Sequence, residues 1–303
     1  MGTATQVDAA REALGHVGVA LPASFTEAIS IDEQREAVIR LERAGYRAVW
    51  TNEVVGGKDV LVQLAVLLAA TERMVFGTCI ANMWARQPET LHGAASVLAQ
   101  AYPGRFVLGV GVGYPEQAAA AGREFGSPVA TMRDYLERMS APTVPPAPDA
   151  PYPLIIAANG PKLLALAAEL TDGALPAVWP AEFTAEVRKA IGPDKLLVMA
   201  TSVAADDDVD RARAVAREFG AVRLREPSAA ATLLRLGYSE QDIAETSDRL
   251  VDAVMALGDP AMVAAKVREH VAASADHVVL LLPIGTDVSA GVERFEQLAS
   301  ALL

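Results

Sequence analysis

The chain has 303 residues, 52% of them hydrophobic, and a formal net charge of −12 at pH 7. This acidity argues against a nucleic-acid partner, whose phosphates need a basic surface, and the single cysteine excludes an internal disulfide. No apolar run is long enough to span a bilayer and the N-terminus lacks an apolar signal core, so we expect a cytoplasmic protein without a membrane partner.

Strand-like segments recur along the whole chain. Eight short apolar, β-branched runs occupy residues 17–21, 48–51, 74–80, 106–112, 154–158, 174–179, 196–203 and 277–282. Amphipathic helical stretches separate most of them, which predicts parallel strands joined by helices. We therefore expect an α/β fold, a (β/α)8 TIM barrel in which residues 1–303 form one domain and the chemistry lies at the C-terminal ends of the strands.

The remaining segments fit around this barrel. Residues 1–16 predict a helix that plugs the bottom of the barrel, and residues 29–43 predict the first barrel helix, which Gly45 ends as a C-cap. The proline-rich residues 141–153 indicate an extended linker. Residues from about 225 to 256 predict inserted helices near the barrel mouth, in a stretch longer than one barrel helix requires.

Several classes of site are missing from the sequence. It has no cysteine and histidine cluster with zinc spacing, no Walker-type loop and no Gly-x-Ser-x-Gly elbow, so we expect no metal. His16, His270 and His277 fall toward the bottom of the barrel, and His92 either approaches the mouth or packs against a neighbouring element. An organic cofactor is therefore the attractive source of reactivity.

Barrel strand two ends in an aromatic ring, an amide and a carboxylate. Trp50 and Asn52 are candidates for cofactor contact, and Glu53 is a candidate general acid or base. The alternative for Glu53 is a helix cap or a carboxylate paired with an arginine.

Small residues at the end of strand three would let a planar ring approach the backbone. The candidate cofactor contacts here are Thr78, Cys79, Ile80, Asn82 and Arg86. The Arg86 guanidinium suits a phosphate or carboxylate, with a salt bridge at the helix entry as the alternative.

Strands four and five end in glycine-containing turns. Gly111 and Gly113 leave one face of strand four bare, which marks the close approach of a ligand or of another backbone, and Tyr114 either donates a hydrogen bond in the mouth or packs in a loop. After strand five, a helix N-terminus presents free N–H groups and Lys162 adds charge, so this turn predicts an anion site. Its members are Asn159, Gly160, Pro161 and Lys162.

Together these segments resemble the luciferase-like superfamily of flavin and deazaflavin enzymes, and in particular the actinobacterial branch of coenzyme F420-dependent oxidoreductases. The matching strings include GYRAVWTNEVVG, LLAATERMVFGTCIANMWARQP, YPGRFVLGVGVG and PLIIAANGPKLLALAAELTDGA. The resemblance implies a barrel with an insertion after strand seven and a cofactor ring over the strand ends. It also implies a non-prolyl cis peptide at Cys79–Ile80 and a cofactor phosphate on the turn from Asn159 to Lys162.

The chain departs from the broader family in three places. Asn52-Glu53 stands where several deazaflavin-dependent dehydrogenases have an Asp-His pair, and Tyr114 stands where some have an acid. These differences put a sugar-phosphate or simple alcohol substrate in doubt. The proline-rich segment at 141–153 is short beside relatives, and we expect this to leave the mouth more open.

The leading hypothesis is an F420-dependent oxidoreductase that transfers hydride to or from a small organic substrate, with Glu53 or Tyr114 as the proton donor. Arg86, Lys162 and Lys58 would offset the anionic cofactor. Family analogy suggests a homodimer. The alternatives are a monooxygenase that uses FMN, and a barrel that binds a flavin or deazaflavin without turnover.

Overall fold

The computed structural model describes residues 3–24, 26–206 and 208–303. Its strands are β1 (Val17–Ala20), β2 (Ala48–Thr51), β3 (Val75–Thr78), β4 (Ala81–Asn82), β5 (Phe106–Gly111), β6 (Leu154–Ile156), β7 (Gly173–Ala174), β8 (Leu196–Ala205), β9 (Met255–Gly258) and β10 (His277–Leu281). The helices before the insertion are α1 (Thr3–Leu14), α2 (Ile31–Arg43), α3 (Val60–Ala69), α4 (Pro88–Ala101), α5 (Pro115–Ala120), α6 (Pro128–Met139), α7 (Pro161–Leu170) and α8 (Ala181–Ile191). Those after β8 are α9 (Val209–Leu224), α10 (Pro227–Arg235), α11 (Glu240–Glu245), α12 (Asp248–Val254), α13 (Pro260–Ala272) and α14 (Val288–Leu302).

The strands close into a parallel barrel, which confirms the predicted fold. The order around it is β10-β1-β2-β3-β5-β6-β7-β8, and the pairing of β8 with β10 closes the ring. These are barrel strands one to eight, counted from β1. The short β4 continues strand three and pairs with β5, while β9 pairs with the upper end of β8. The mouth of the barrel is the end at which all these strands finish.

The insertion after strand seven is present as predicted. Helices α9 to α12 and strand β9 lie between β8 and the barrel helix α13. The helical prediction ran two residues too far, because Met255 and Ala256 leave α12 and pair with Ser202 and Val203 at the extended end of β8.

Strand six is shorter than its sequence suggests. Of the predicted residues 174–179, only Ala174 belongs to regular strand β7, and Ala177 adds one isolated bridge to Ala200. Val178 then takes a positive φ of 58°, a left-handed conformation that a β-branched side chain rarely adopts, and this bend ends the strand.

The barrel has an inner core that helix α1 closes from below. Val7, Ala10 and Leu14 of α1 pack in the same cluster as inward residues of the strands. The predicted plug is therefore confirmed for Thr3–Leu14, and residues 1 and 2 of the prediction lie outside the described residues. A second, larger cluster fills the space between the strands and the surrounding helices. None of the described helices is long and apolar enough to cross a membrane.

The proline-rich linker lies at the bottom of the barrel, which corrects the expected effect on the mouth. It runs from the end of α6 to the start of β6, and chain direction places both of those points at the end opposite the mouth. His92 faces the same region, where its Nδ1 lies 2.8 Å from the hydroxyl of Tyr152, so His92 packs and does not reach the mouth.

The lower part of the inner core contains a neutral histidine. The Trp50 indole N–H donates to Nε2 of His277 at 3.0 Å, so Nδ1 carries the proton and donates to the Gly15 carbonyl at 2.7 Å. Burial lowers the pKa of His277 to about 4, and burial likewise lowers the pKa of His270 to about 4.

We expect acid to destabilise the fold through these histidines. In the unfolded chain a histidine has a pKa near 6.5. Between about pH 6.5 and 4 the unfolded state therefore binds more protons than the folded state, and the free energy of unfolding decreases as the pH is lowered. The shift of His277 corresponds to about 3 kcal/mol. Urea unfolding at several pH values should show a shallower loss for His277→Phe than for the unmodified chain, with His270 supplying the remainder. Equal slopes would contradict this assignment.

Candidate active site

Small, uncharged side chains line the inside of the mouth. Side chains alternate between the two faces of a strand, so positions two or four residues beyond the inner core also point inward. These are Asn52, Cys79, Ala157, Ala177, Ser202 and Leu281, and all six are partly exposed. None of them carries a charge at neutral pH, and most are shorter than leucine.

The peptide bond between Cys79 and Ile80 is cis, which confirms the expectation from the resemblance. Both residues are partly exposed at the mouth. Burial of the Cys79 thiol raises its pKa to about 12, so the thiolate needed for nucleophilic catalysis is not formed at neutral pH.

The bare face of strand four packs against the protein itself, which corrects the expected ligand contact. A Cβ on Gly109 would lie 2.1 Å from the Thr78 carbonyl oxygen, and one on Gly111 would lie 2.8 Å from the Ile80 side chain. One on Gly113 would lie 1.9 Å from Oε1 of Gln117. These glycines admit a neighbouring backbone and neighbouring side chains.

Thr78 is likewise structural and not a cofactor contact. It is fully buried, its hydroxyl donates to the Gly109 carbonyl at 2.7 Å, and the Gly109 N–H donates back to the hydroxyl at 2.8 Å. This pair of hydrogen bonds ties strand three to strand four just below Cys79.

Glu53 is the centre of a buried ion-pair cluster. Its side chain is 1% exposed and that of Arg86 is 9% exposed, and Arg86 binds both carboxylate oxygens of Glu53. The same carboxylate accepts the backbone N–H of Val60 at 3.1 Å and that of Asn82 at 2.9 Å. Arg86 also binds Asp59 at 2.8 Å, and Asp59 caps the start of α3.

This cluster corrects the roles expected of Glu53 and Arg86. Burial opposes the charge of Arg86, but hydrogen bonds and charges from Glu53 and Asp59 outweigh it and raise the pKa of Arg86. The Glu53 carboxylate accepts from four donor groups of the protein, so both of its oxygens are engaged away from the mouth. Arg86 is committed to two carboxylates, so it is not available to a cofactor phosphate.

Two further candidates lie below the reach of a ligand. Trp50 is 0% exposed and bonds to His277 in the lower core. Asn82 is also fully buried; its amide donates to Gln117 and its oxygen accepts from the Trp84 N–H, each at 3.0 Å. Both side chains stabilise the barrel, and neither presents surface to the mouth.

The turn after strand five is open. Gly160 is the N-cap of α7 and makes no side-chain capping bond, and a Cβ there would meet nothing within 4 Å. Lys162 is exposed and forms no ion pair in the described part of the chain. The Asn159 side-chain oxygen accepts from the Ala177 N–H at 3.1 Å and from Trp179 Nε1 at 2.9 Å, which fixes the amide orientation.

The mouth also contains residues that the sequence argument missed. Ala157, Ala177 and Ser202 belong to the inner ring, and Trp179 orients Asn159. The alternation of side chains along a strand would have identified the first three residues from the inner core. It does not predict the position of Trp179, because the chain bends at Val178. Tyr114 is 54% exposed after strand four, and its role stays a prediction. Within the described residues, no group of histidine, cysteine and acidic side chains could hold a metal ion.

A family comparison agrees with this geometry. The model of the luciferase-like monooxygenase family matches residues 13–277. The chain belongs to the luciferase-like monooxygenase family. As a member of this family it is an enzyme, so the alternative of a barrel that only binds its ligand is set aside.

Among relatives of this luciferase-like chain is a Mycobacterium tuberculosis protein whose name assigns it to the coenzyme F420-dependent oxidoreductases. The two sequences are 30% identical over a segment that covers 46% of this chain and 50% of the Mycobacterium tuberculosis protein. A structure of an F420-dependent secondary alcohol dehydrogenase with an F420-acetone adduct has a TM-score of 0.73 and 18% identity, covering 95% of this chain and 99% of the other. The oxygenating constituent of 3,6-diketocamphane monooxygenase from Pseudomonas putida, in complex with FMN, has a TM-score of 0.69 and 16% identity over 95% and 98%.

Proposed function

We propose that this enzyme is a coenzyme F420-dependent oxidoreductase acting on a small organic substrate. The observation that carries the proposal is the ring of six small, uncharged, partly exposed side chains at the mouth. None of them can donate or accept a hydride, so a hydride transfer at this mouth would need a bound organic group. The named F420-dependent relative favours a deazaflavin as that group.

The residues at the mouth fit such a group. The short side chains of Cys79, Ala157 and Ala177 leave room for a flat ring, and Asn52 offers an amide at its edge. The open N-terminus of α7, with Lys162 beside it, suits the phosphate. Bound there, a reduced deazaflavin would supply a hydride to an unsaturated or carbonyl carbon, and the oxidised form would take one from an alcohol.

The protein would orient the substrate, exclude water and handle one proton. Because the Glu53 carboxylate is paired with Arg86, the Tyr114 hydroxyl is the remaining candidate proton donor. The helices α10 to α12 would cover the substrate at the mouth. A homodimer and a cytoplasmic location stay predictions.

A monooxygenase that uses FMN is the second candidate, since the FMN-bound neighbour shares the fold. Titration of the purified chain with F420, FMN and FAD, followed by fluorescence and melting temperature, separates the two. We expect F420 to bind and to raise the melting temperature. Micromolar or tighter FMN binding with no response to F420 would favour the monooxygenase and end the deazaflavin proposal.

Lys162→Ala tests the anion turn. Loss of this exposed charge should weaken F420 binding by about 1 kcal/mol, or about fivefold, and more at low salt than at high salt because ions screen an exposed pair. The control is Lys189→Ala, which removes an exposed charge from α8. Affinities measured by fluorescence titration at two salt concentrations decide the point, and a loss that is the same at both would place Lys162 far from the phosphate.

A further inference from the structure

An open cavity lies on the rim of the mouth, outside the inner ring. It has a volume of about 480 Å³ between the loops after strands two, three and four, and it is lined by residues 53–59 and 84–87 together with Ala121 and Arg123. We call it the rim cavity. Its volume is in the range of small-molecule sites.

Two cationic side chains, Lys58 and Arg123, are exposed at the rim cavity. In the part of the chain that the structure describes, neither side chain forms a hydrogen bond or an ion pair, although the charge of Lys58 interacts with that of Glu53. Other arginines, such as Arg133, Arg138 and Arg213, bind carboxylates. In a chain with a net charge of −12, two such cations at one cavity are an unusual concentration of positive charge.

The acidic groups of the same cavity are already engaged. Both oxygens of Glu53 bind Arg86, and Asp59 binds Arg86 as well as the N–H groups of Leu61 and Val62 at the start of α3. Formal charges in the cavity are therefore two acids against Arg86, Lys58 and Arg123. Gly56 and Gly57 leave the loop beside Lys58 without bulk.

We propose that the rim cavity binds a carboxylate or phosphate group of a small molecule that occupies the neighbouring mouth. This rests on the proposed function. The anionic group has two sources: the acidic tail of the cofactor, or an acidic substrate. Lys58 and Arg123 would hold it by charge-assisted hydrogen bonds.

The test compares two double variants that remove the same charge. Lys58→Gln/Arg123→Gln changes the rim cavity, and Lys189→Gln/Arg268→Gln removes exposed cations elsewhere. Circular dichroism first checks that both variants fold. The probes are F420, its core without phosphate and glutamates, and inorganic phosphate, followed by fluorescence titration and melting temperature.

We expect the rim variant to respond and the control variant to stay unchanged. A roughly tenfold loss of F420 affinity with unchanged binding of the core assigns the cavity to the cofactor tail. Unchanged F420 affinity with loss of stabilisation by phosphate assigns it to an acidic substrate. Equal behaviour of the two double variants with all three probes would overturn the proposal. If the unmodified chain binds FMN and not F420, the phosphate measurement still decides this inference by itself.

Discussion

Arg86→Met should destabilise the fold by about 3–5 kcal/mol, because it leaves the Glu53 carboxylate buried without its cation. The Glu53 side chain is 1% exposed, so water cannot replace the lost guanidinium without rearrangement. Two backbone N–H groups still bind the carboxylate in the variant, so they limit the loss of stability. Urea unfolding at pH 7 measures the free energy.

The matched control removes both charges. In Glu53→Gln/Arg86→Met no unpaired ion is buried, so this double variant should lose less stability than Arg86→Met alone. If Arg86→Met costs less than about 1 kcal/mol, the Glu53–Arg86 pair behaves like an exposed salt bridge and does not stabilise the fold as a buried pair.

The same cluster shows why a sequence gives the position of a residue more readily than its role. Glu53 directly follows a predicted strand, so its place at the rim was foreseeable. Its partner Arg86 lies 33 residues later, and only the folded chain shows that the guanidinium turns to the carboxylate. Both alternatives, an arginine-paired Glu53 and a salt bridge at the helix entry, were visible in the sequence, and the structure selects them.

The barrel itself followed from hydrophobic periodicity. Each strand is short, apolar and bounded by turn residues, so all eight barrel strands lie where the pattern predicts them. The predicted end of strand six was wrong, because the sequence gives no sign of the left-handed conformation of Val178. The alternation of side chains also identifies the inner ring, but it cannot show that Gly109 faces the Thr78 backbone, or that Gly111 faces the Ile80 side chain, in place of a ligand.

Gly109→Ala should be strongly destabilising, by about 3 kcal/mol or more. The added Cβ would lie 2.1 Å from the Thr78 carbonyl oxygen, which is a backbone atom and cannot turn away like the end of a side chain. The backbone N–H and C=O of Gly109 both bond to the Thr78 hydroxyl, so separating the strands also costs those hydrogen bonds.

Gly93→Ala is the matched control, since it makes the same chemical change where a Cβ would meet nothing within 4 Å. Gly93 lies inside helix α4, where alanine is favoured over glycine by about 0.5–1 kcal/mol, so this variant should gain stability. The two substitutions should therefore have opposite signs in urea unfolding. Because Thr78 directly precedes Cys79 at the mouth, Gly109→Ala should also weaken F420 binding, measured at a temperature at which the variant is still folded. A Gly109→Ala variant as stable as the unmodified chain would mean that strands three and four are not in the close contact on which the shape of the mouth depends.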